Sequence, residues 1–310
     1  MGETPKLFAN NAAVPYAAFN LRDPYYREMA SYVAREAALV HILSENLAVD
    51  LGCGIGISTL EIAERFDRVI AVEPSDDMRY LAELNFMGSP SVSVRAGRAE
   101  NLSAVVGEYA GEIDAVCCCQ MFHLLRPVLD EALKNITAVL CDDGVLAFDL
   151  GPSNYAFDLP LEDHRLAAPQ PGTVMTELAH PLYRRVHDLV YKAVKAKYPN
   201  FDRENLWPSP AMRYTKTELG EILERHGLEL LHIKEIISPV AGCRVKEFIR
   251  NGWTVFFRWP PLDALPMDEK LAMMKSALSA VLKKEDLESV MAYHPTAVAV
   301  AQRQKEAAKY

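Results

Sequence analysis

From about residue 47 to 150 the chain alternates short apolar, often β-branched runs with amphipathic stretches of helical period, and that alternation leaves few folds open. The runs are LAVDL (47–51), RVIAV (68–72), SVSVR (91–95), IDAVCCC (113–119) and GVLAFDL (144–150). After the first two come STLEIAERF and DDMRYLAELNF, with apolar residues at helical spacing and Ser75 or Asp76 as the cap of the second. Strand and helix in strict turn predict an α/β protein, a doubly wound and mostly parallel sheet wrapped by helices.

The flanks extend this unit. Upstream, DPYYREMASYVAREAALVHIL keeps the helical period, with Pro24 early, where a helix tolerates it. Downstream, YTKTELGEILERHGLELLHIKEII opens with Thr215 and Glu218 in capping-box spacing, closes its helix at Gly227 and offers a strand to about 237. The tail AVAVAQR supplies one more strand, predicted to be the seventh of the sheet and antiparallel. Two stretches break the alternation yet keep apolar periodicity, so they read as helical cap insertions and not as linkers. The expected organisation is a core with its N-terminal helix over 1–151, a cap insertion over 152–212, core again over 213–238, a second cap over 239–290, and the last core strand and tail over 291–310. Ligands of such sheets bind at the carboxyl ends of the strands, so an insertion after the fifth strand is expected to lie over that edge as a substrate lid.

Composition narrows the function. With 310 residues, half of them apolar, the chain can bury a substantial core. A formal charge of −9 argues against a broad phosphate-binding surface, so nucleic acid is an unlikely partner. The opening MGETPKLFANN has no basic-then-apolar leader pattern, and no apolar run approaches the ~18 residues that cross a bilayer. Three of the six cysteines, Cys117, Cys118 and Cys119, are consecutive. On a strand they point to alternate faces, which suits neither a disulfide framework nor a shared metal or arsenic site, so they read as small apolar filling. A soluble, reducing, cytoplasmic setting is expected, with no membrane association and no metal, since no His, Asp or Glu cluster near the motif has ligand spacing.

The most telling stretch is LAVDLGCGIG (47–56). Glycines between a strand and a helix let bare backbone approach a ligand. The common dinucleotide fingerprint is G-x-G-x-x-G; here the spacing is G-x-G-x-G and position 57 is Ile. This stretch resembles the first motif of the class I S-adenosylmethionine-dependent methyltransferases. The resemblance continues through AVEPS (71–75), GRAENL (97–102) and IDAVCCCQMFHLL (113–125), in the order and spacing of the branch that acts on small molecules and in ubiquinone and menaquinone biosynthesis. NLRDPYY (20–26) resembles that branch's N-terminal element. The similarity covers roughly 15–150, more loosely 213–237 and 291–304, and neither insertion. It implies a Rossmann-like fold and S-adenosylmethionine as cofactor.

That cofactor carries an ammonium, a carboxylate and a sulfonium, so its seat needs anionic groups or carbonyls beside the cations. Asp50 can serve the cationic part; Gly52, Cys53 and Gly54 offer backbone contacts to the amino-acid tail; Glu73, seventeen residues past Gly56, can accept both ribose hydroxyls. By resemblance, Ala99 and Glu100 flank the adenine, Gln120 lines the cofactor near the methyl group, and Tyr16, Arg22 and Tyr25 close over the cofactor carboxylate, unless the N-terminal helix merely packs on the sheet. The chain departs from the family at Arg98, where an acidic residue often meets the adenine amino group; Glu100 or a backbone carbonyl must take over.

Other residues have two readings. His123 is either a general base on a substrate hydroxyl or a packing residue under the lid, capping a helix expected near Arg126. His180, Arg184, His187 and Tyr191 form one polar helix face, for an anionic substrate group or for water. Trp253, Phe256, Phe257 and Trp259 line an apolar substrate pocket or fill the core beneath the lid. The leading expectation is in-line methyl transfer to a small, partly hydrophobic metabolite. Its rivals are a non-catalytic cofactor-binding or interaction protein on the same fold and a nicotinamide-dependent oxidoreductase, which the glycine spacing disfavours.

Overall fold

A computed structural model describes residues 24–40, 46–151, 155–156, 181–200, 213–241, 266, 268–269, 272–273, 275–276, 279 and 290–304. Its frame is one seven-stranded sheet: β1 (Leu47–Leu51), β2 (Arg68–Glu73), β3 (Val92–Ala96), β4 (Ile113–Cys118), β5 (Leu140–Leu150), β6 (Leu228–Ala241) and β7 (Val290–Arg303). The spatial order is β3-β2-β1-β4-β5-β7-β6. β1 to β5 pair in parallel, and β7 runs antiparallel to both β5 and β6, so the expected Rossmann-like sheet with an antiparallel last strand is what forms.

Strand periodicity divides the core into two layers. Val49, Leu51, Val116, Cys118, Leu146 and Phe148 point to one face, under α5 (Leu129–Val139) and α7 (Lys216–Glu224). Ala48, Ala115, Cys117 and Ala147 point to the other, against Ala30, Val33, Ala34 and Ala37 of α1 (Pro24–Val40) and Ile62 of α2 (Ile57–Ala63). Small residues on both sides of that contact let α1 lie close to the sheet. Local signals hold: Ser75, not Asp76, caps α3 (Asp76–Asn85) by accepting from the Met78 amide, and Thr215 with Glu218 forms the capping box of α7. Among the described residues no helix is long and apolar enough to cross a membrane.

Three boundaries move. β5 begins at Leu140, ahead of the predicted 144, because the chain pairs Ile113 with Leu140 before an irregularity in the ladder. The helix expected near Arg126 begins at Leu129; a 3₁₀ segment, Phe122–Val128, comes first and contains Pro127. The third change is larger. β6 runs to Ala241 and β7 starts at Val290, so both enter what read as the second insertion. The added lengths contain Pro239 and Pro295; β6 is an edge strand of the described sheet and Pro295 lies beyond the part of β7 paired with β5, places where a missing N–H is tolerated.

β5 and β7 pair only as far as Leu150 with Ala297, whereas β6 and β7 stay paired to Ala241 with Val290. The last part of this ribbon therefore runs past the carboxyl edge of the parallel strands. The chain after β5 leaves from that same edge. α6 (Pro181–Lys197), from the first insertion, forms the predicted helix, and its Lys197 makes an ion pair with Glu269 of the second.

Candidate functional site

Three glycines follow β1 with φ of +76° (Gly52), +57° (Gly54) and +92° (Gly56), a conformation side chains resist. They serve different ends. A Cβ on Gly52 would meet Met121 at 2.9 Å, and one on Gly56 would meet Phe86 at 2.5 Å; one on Gly54 would find nothing within 4 Å. Close packing explains the outer two, and only Gly54 opens onto free space. The amides are also committed: Gly52 and Cys53 donate to the Val72 carbonyl (2.8 and 3.2 Å) and Gly54 donates to Glu73 Oε2 (2.9 Å). Donors for a ligand carboxylate must lie elsewhere, and these residues can offer a ligand their carbonyl side.

Asp50 is wholly buried at the end of β1. Its Oδ2 accepts from Ser58 Oγ and Thr59 Oγ1, both at 2.7 Å, while its Oδ1 has no hydrogen-bond partner. Burial pushes its carboxyl up to about 6; the two hydroxyls pull it down and nearby Glu73 adds to the rise. The hydroxyls come from the first turn of α2, eight and nine residues on, where in sequence they look like ordinary helix residues.

Glu73 ends β2 and is 6 % exposed. Its Oε1 accepts from the Ser75 amide (2.8 Å) and its Oε2 from Gly54 (2.9 Å). Each oxygen keeps a further lone pair, so two vicinal hydroxyls can still be received. Burial is the main cause of its raised pKa, and the two amides oppose it.

Ala99 and Glu100 open a 3₁₀ turn between β3 and the short helix α4 (Leu102–Val105), with Ala99 buried. The Glu100 carboxylate lies 3.8 Å from Arg98, and its carbonyl accepts from Asn135 (3.0 Å). Of the backbone carbonyls that could substitute for the missing acid at 98, the one at Glu100 already accepts this bond. Gln120 follows β4 with φ +55° and is bound to Asp149 at the end of β5. Asp149 is 1 % exposed and was not singled out from the sequence, although a carboxylate inside the apolar run VLAFDL is the same signal as Asp50 in LAVDL.

His123 lies in the 3₁₀ segment Phe122–Val128, partly exposed, on the turn that follows Gln120 and Met121. The fold thus brings Asp50, Gly52, Cys53, Gly54, Glu73, Ala99, Glu100, Gln120 and His123 to the carboxyl ends of β1 to β4. Tyr16 and Arg22 lie outside the described residues, as do His180, Trp253, Phe256, Phe257 and Trp259, and the Tyr25, Arg184 and His187 side chains are likewise not described. On α6, Val190 and Val194 are buried, placing the apolar face inward.

Cys53, Cys117, Cys118 and Cys119 are free and buried, and burial pushes all four thiols up. All four are neutral, and Cys117, Cys118 and Cys119 are the small apolar filling that their consecutive positions implied.

Known proteins resemble this chain over part of its sequence and in fold. The family described as methyltransferase domain matches residues 48–144. A curated protein of Bacillus subtilis (strain 168), named "Putative methyltransferase YqeM", is 28% identical over 108 residues. That match covers 34% of this chain and 42% of the relative, so the chain spans well under half of the protein it matches. Among solved structures, Haemonchus contortus phospholethanolamine N-methyltransferase 2, in complex with phosphomonomethylethanolamine and S-adenosylhomocysteine, superposes with TM-score 0.50 at 12% identity, covering 97% of this chain and 59% of that one. The YcgJ protein of Bacillus subtilis gives TM-score 0.48 at 13% identity, covering 89% and 98%. The likeness to the Haemonchus contortus enzyme bears on the fold alone; the family match over residues 48–144 covers the ends of β1 to β4. Residues 48–144 of this chain are thus similar to a methyltransferase domain, and the sheet around them has the fold of a solved methyltransferase.

Proposed function

We propose that this protein transfers a methyl group from S-adenosylmethionine to a small, partly hydrophobic metabolite. One observation carries the cofactor: a buried carboxylate, Asp50, with one oxygen held by two hydroxyls and the other unpartnered, beside the open glycine Gly54. An unpaired buried carboxylate oxygen is costly, and a cation placed against it removes the cost. The residues present fit the group: Asp50 for its cationic part, the carbonyl side of the glycine turn for the ammonium, and Glu73 for the ribose hydroxyls. When bound, S-adenosylmethionine supplies an electrophilic methyl on a sulfonium. The protein's part is to hold that centre at the strand edge, align an acceptor with the S–CH₃ bond and keep water out. A hydroxyl acceptor would give up its proton to His123, on the turn beyond β4; nitrogen and sulfur acceptors need no base.

The substrate class rests on other grounds. A charge of −9 disfavours nucleic acid, and the insertions leave from the carboxyl edge, where they can enclose a small molecule. Free cysteines fit a reducing, cytoplasmic setting. The branch acting on small molecules, including quinone precursors, remains our reading of the motif order.

Calorimetric titration of the whole chain with S-adenosylmethionine, S-adenosylhomocysteine and NAD tests the cofactor. Binding of the first two without the third is expected; tight NAD binding alone overturns the proposal. Incubating the protein and labelled cofactor with a metabolite extract tests catalysis, and label that never leaves the cofactor marks a binding protein.

A further inference from the structure

The surroundings of the buried Asp149 give it a role of its own. Asp50 is in register with Cys117 of β4, and Cys117 with Ala147 of β5. Asp149 is two residues past Ala147, so it faces the same side of the sheet as Asp50, one strand to the other side of β4 and about 7 Å nearer the ligand edge. The turn after β4 lies between the two carboxylates.

That turn is tied down at three points. The Gln120 amide donates to Asp149 Oδ1 at 2.6 Å, and the Gln120 side-chain Nε2 donates to Asp149 Oδ2. Phe122 stacks on Phe148, with ring centroids 3.9 Å apart and planes at 16°. Met121 lies against Gly52, close enough that a Cβ there would collide. The same short turn thus grips the end of β5 and covers the first glycine of the cofactor turn. Gln120 holds φ +55°, which a side chain resists and glycine would not, and it persists because Asp149 binds both of its donors. Only the amide nitrogen can face a carboxylate, so the tether also fixes which way the side-chain carbonyl dipole points.

We propose that Asp149 is a positioning residue: through Gln120 it sets the turn Gln120–Met121 against the methyl-bearing sulfonium of the cofactor. This rests on the methyltransferase reading and goes beyond it. Asp149 is buried and acts at second hand. Its removal should therefore alter recognition of the sulfonium end while leaving the adenosine end alone.

S-adenosylmethionine and S-adenosylhomocysteine differ only in the methyl and its charge, so their affinity ratio reads this directly. Titrate the wild type, Asp149→Ala, Asp149→Asn and Gln120→Gly with both, and check folding by thermal denaturation. Asp149→Ala should weaken S-adenosylmethionine by about tenfold and S-adenosylhomocysteine by less than about threefold. Asp149→Asn still accepts from the Gln120 amide and can pair with a flipped side chain, so it should restore the ratio to within about threefold. A purely structural role would lower the melting temperature and leave the ratio unchanged in the folded fraction. An unchanged ratio in Asp149→Ala overturns the proposal, and so does a loss in Asp149→Asn as large as in Asp149→Ala, because charge and not the turn would then be acting. Should Asp149→Ala fail to fold, Gln120→Gly decides: it keeps the aspartate, relieves the backbone and removes the side-chain tether, and it should shift the ratio in the same direction; an unchanged ratio overturns the proposal. A wild type that binds neither ligand sinks the methyltransferase reading, and this inference with it.

Discussion

Residues 47–52 read LAVDLG and residues 146–151 read LAFDLG, two strand ends differing at one position in six, each burying an aspartate to 1 % exposure or less. Their fates differ. Asp149 receives donors from Gln120 on both oxygens. Asp50 is served on one oxygen only, by Ser58 and Thr59, and the other faces no donor. Satisfied on both oxygens, a buried carboxylate can organise a turn; half satisfied, it is poised for a cation. Held at about 6 in place of its ordinary 3.8, an ionised Asp50 costs the free protein roughly 3 kcal/mol at neutral pH. This is the kind of local cost expected at a binding site.

The largest test of the contrast is Asp50→Ala. It should weaken S-adenosylmethionine about a hundredfold or more by calorimetry, well beyond the effect at Asp149; normal binding would show that the motif is misassigned. Next comes the free protein. Because the folded pKa of Asp50 is raised, the folded state holds the extra proton between about 3.8 and 6, and wild-type stability falls as pH rises through that window. Asp50→Asn removes this slope, so in urea denaturation its stability relative to wild type should improve by about 2 kcal/mol between pH 4 and pH 7. A difference independent of pH would mean Asp50 ionises normally.

Binding should run the other way. The cation needs the ionised carboxylate, so affinity for S-adenosylmethionine should rise about tenfold from pH 5 to pH 7 and then level off. Thr59→Val, which removes a hydroxyl that holds the pKa down, should move the midpoint above 6. An unmoved midpoint would point to another titrating group. The smallest effect is expected at His123→Ala: turnover on an acceptor found in the extract screen slows by no more than about tenfold while cofactor affinity is unchanged. Complete loss of turnover would make His123 indispensable and point to a hydroxyl acceptor.

Much of this was legible in the chain. The five parallel strands lie within a few residues of the runs that announced them, because buried parallel strands need continuous apolar sequence and their crossovers need helical period. The capping box at Thr215 and Glu218 was equally plain, since it depends on contacts within one turn. The length of the β6–β7 ribbon was not, because strand pairing carried the chain through two prolines. Nor was the role of Asp149. Gln120 and Asp149 are 29 positions apart, and nothing local reveals that one carboxylate will receive both donors of the other residue.

The sequence by itself determined the sheet, the glycine turn and the presence of acids at the ends of β1 and β2, since each follows from short-range period and spacing. Only the tertiary structure decided how those groups are used. It committed the amides of Gly52, Cys53 and Gly54 to β2, gave Asp50 two hydroxyl partners on one oxygen and none on the other, and placed Met121 and Phe86 against two of the three glycines. The physical reason is that a polar group's chemistry in a protein depends on which of its hydrogen bonds are already made, and those partners come from distant parts of the chain.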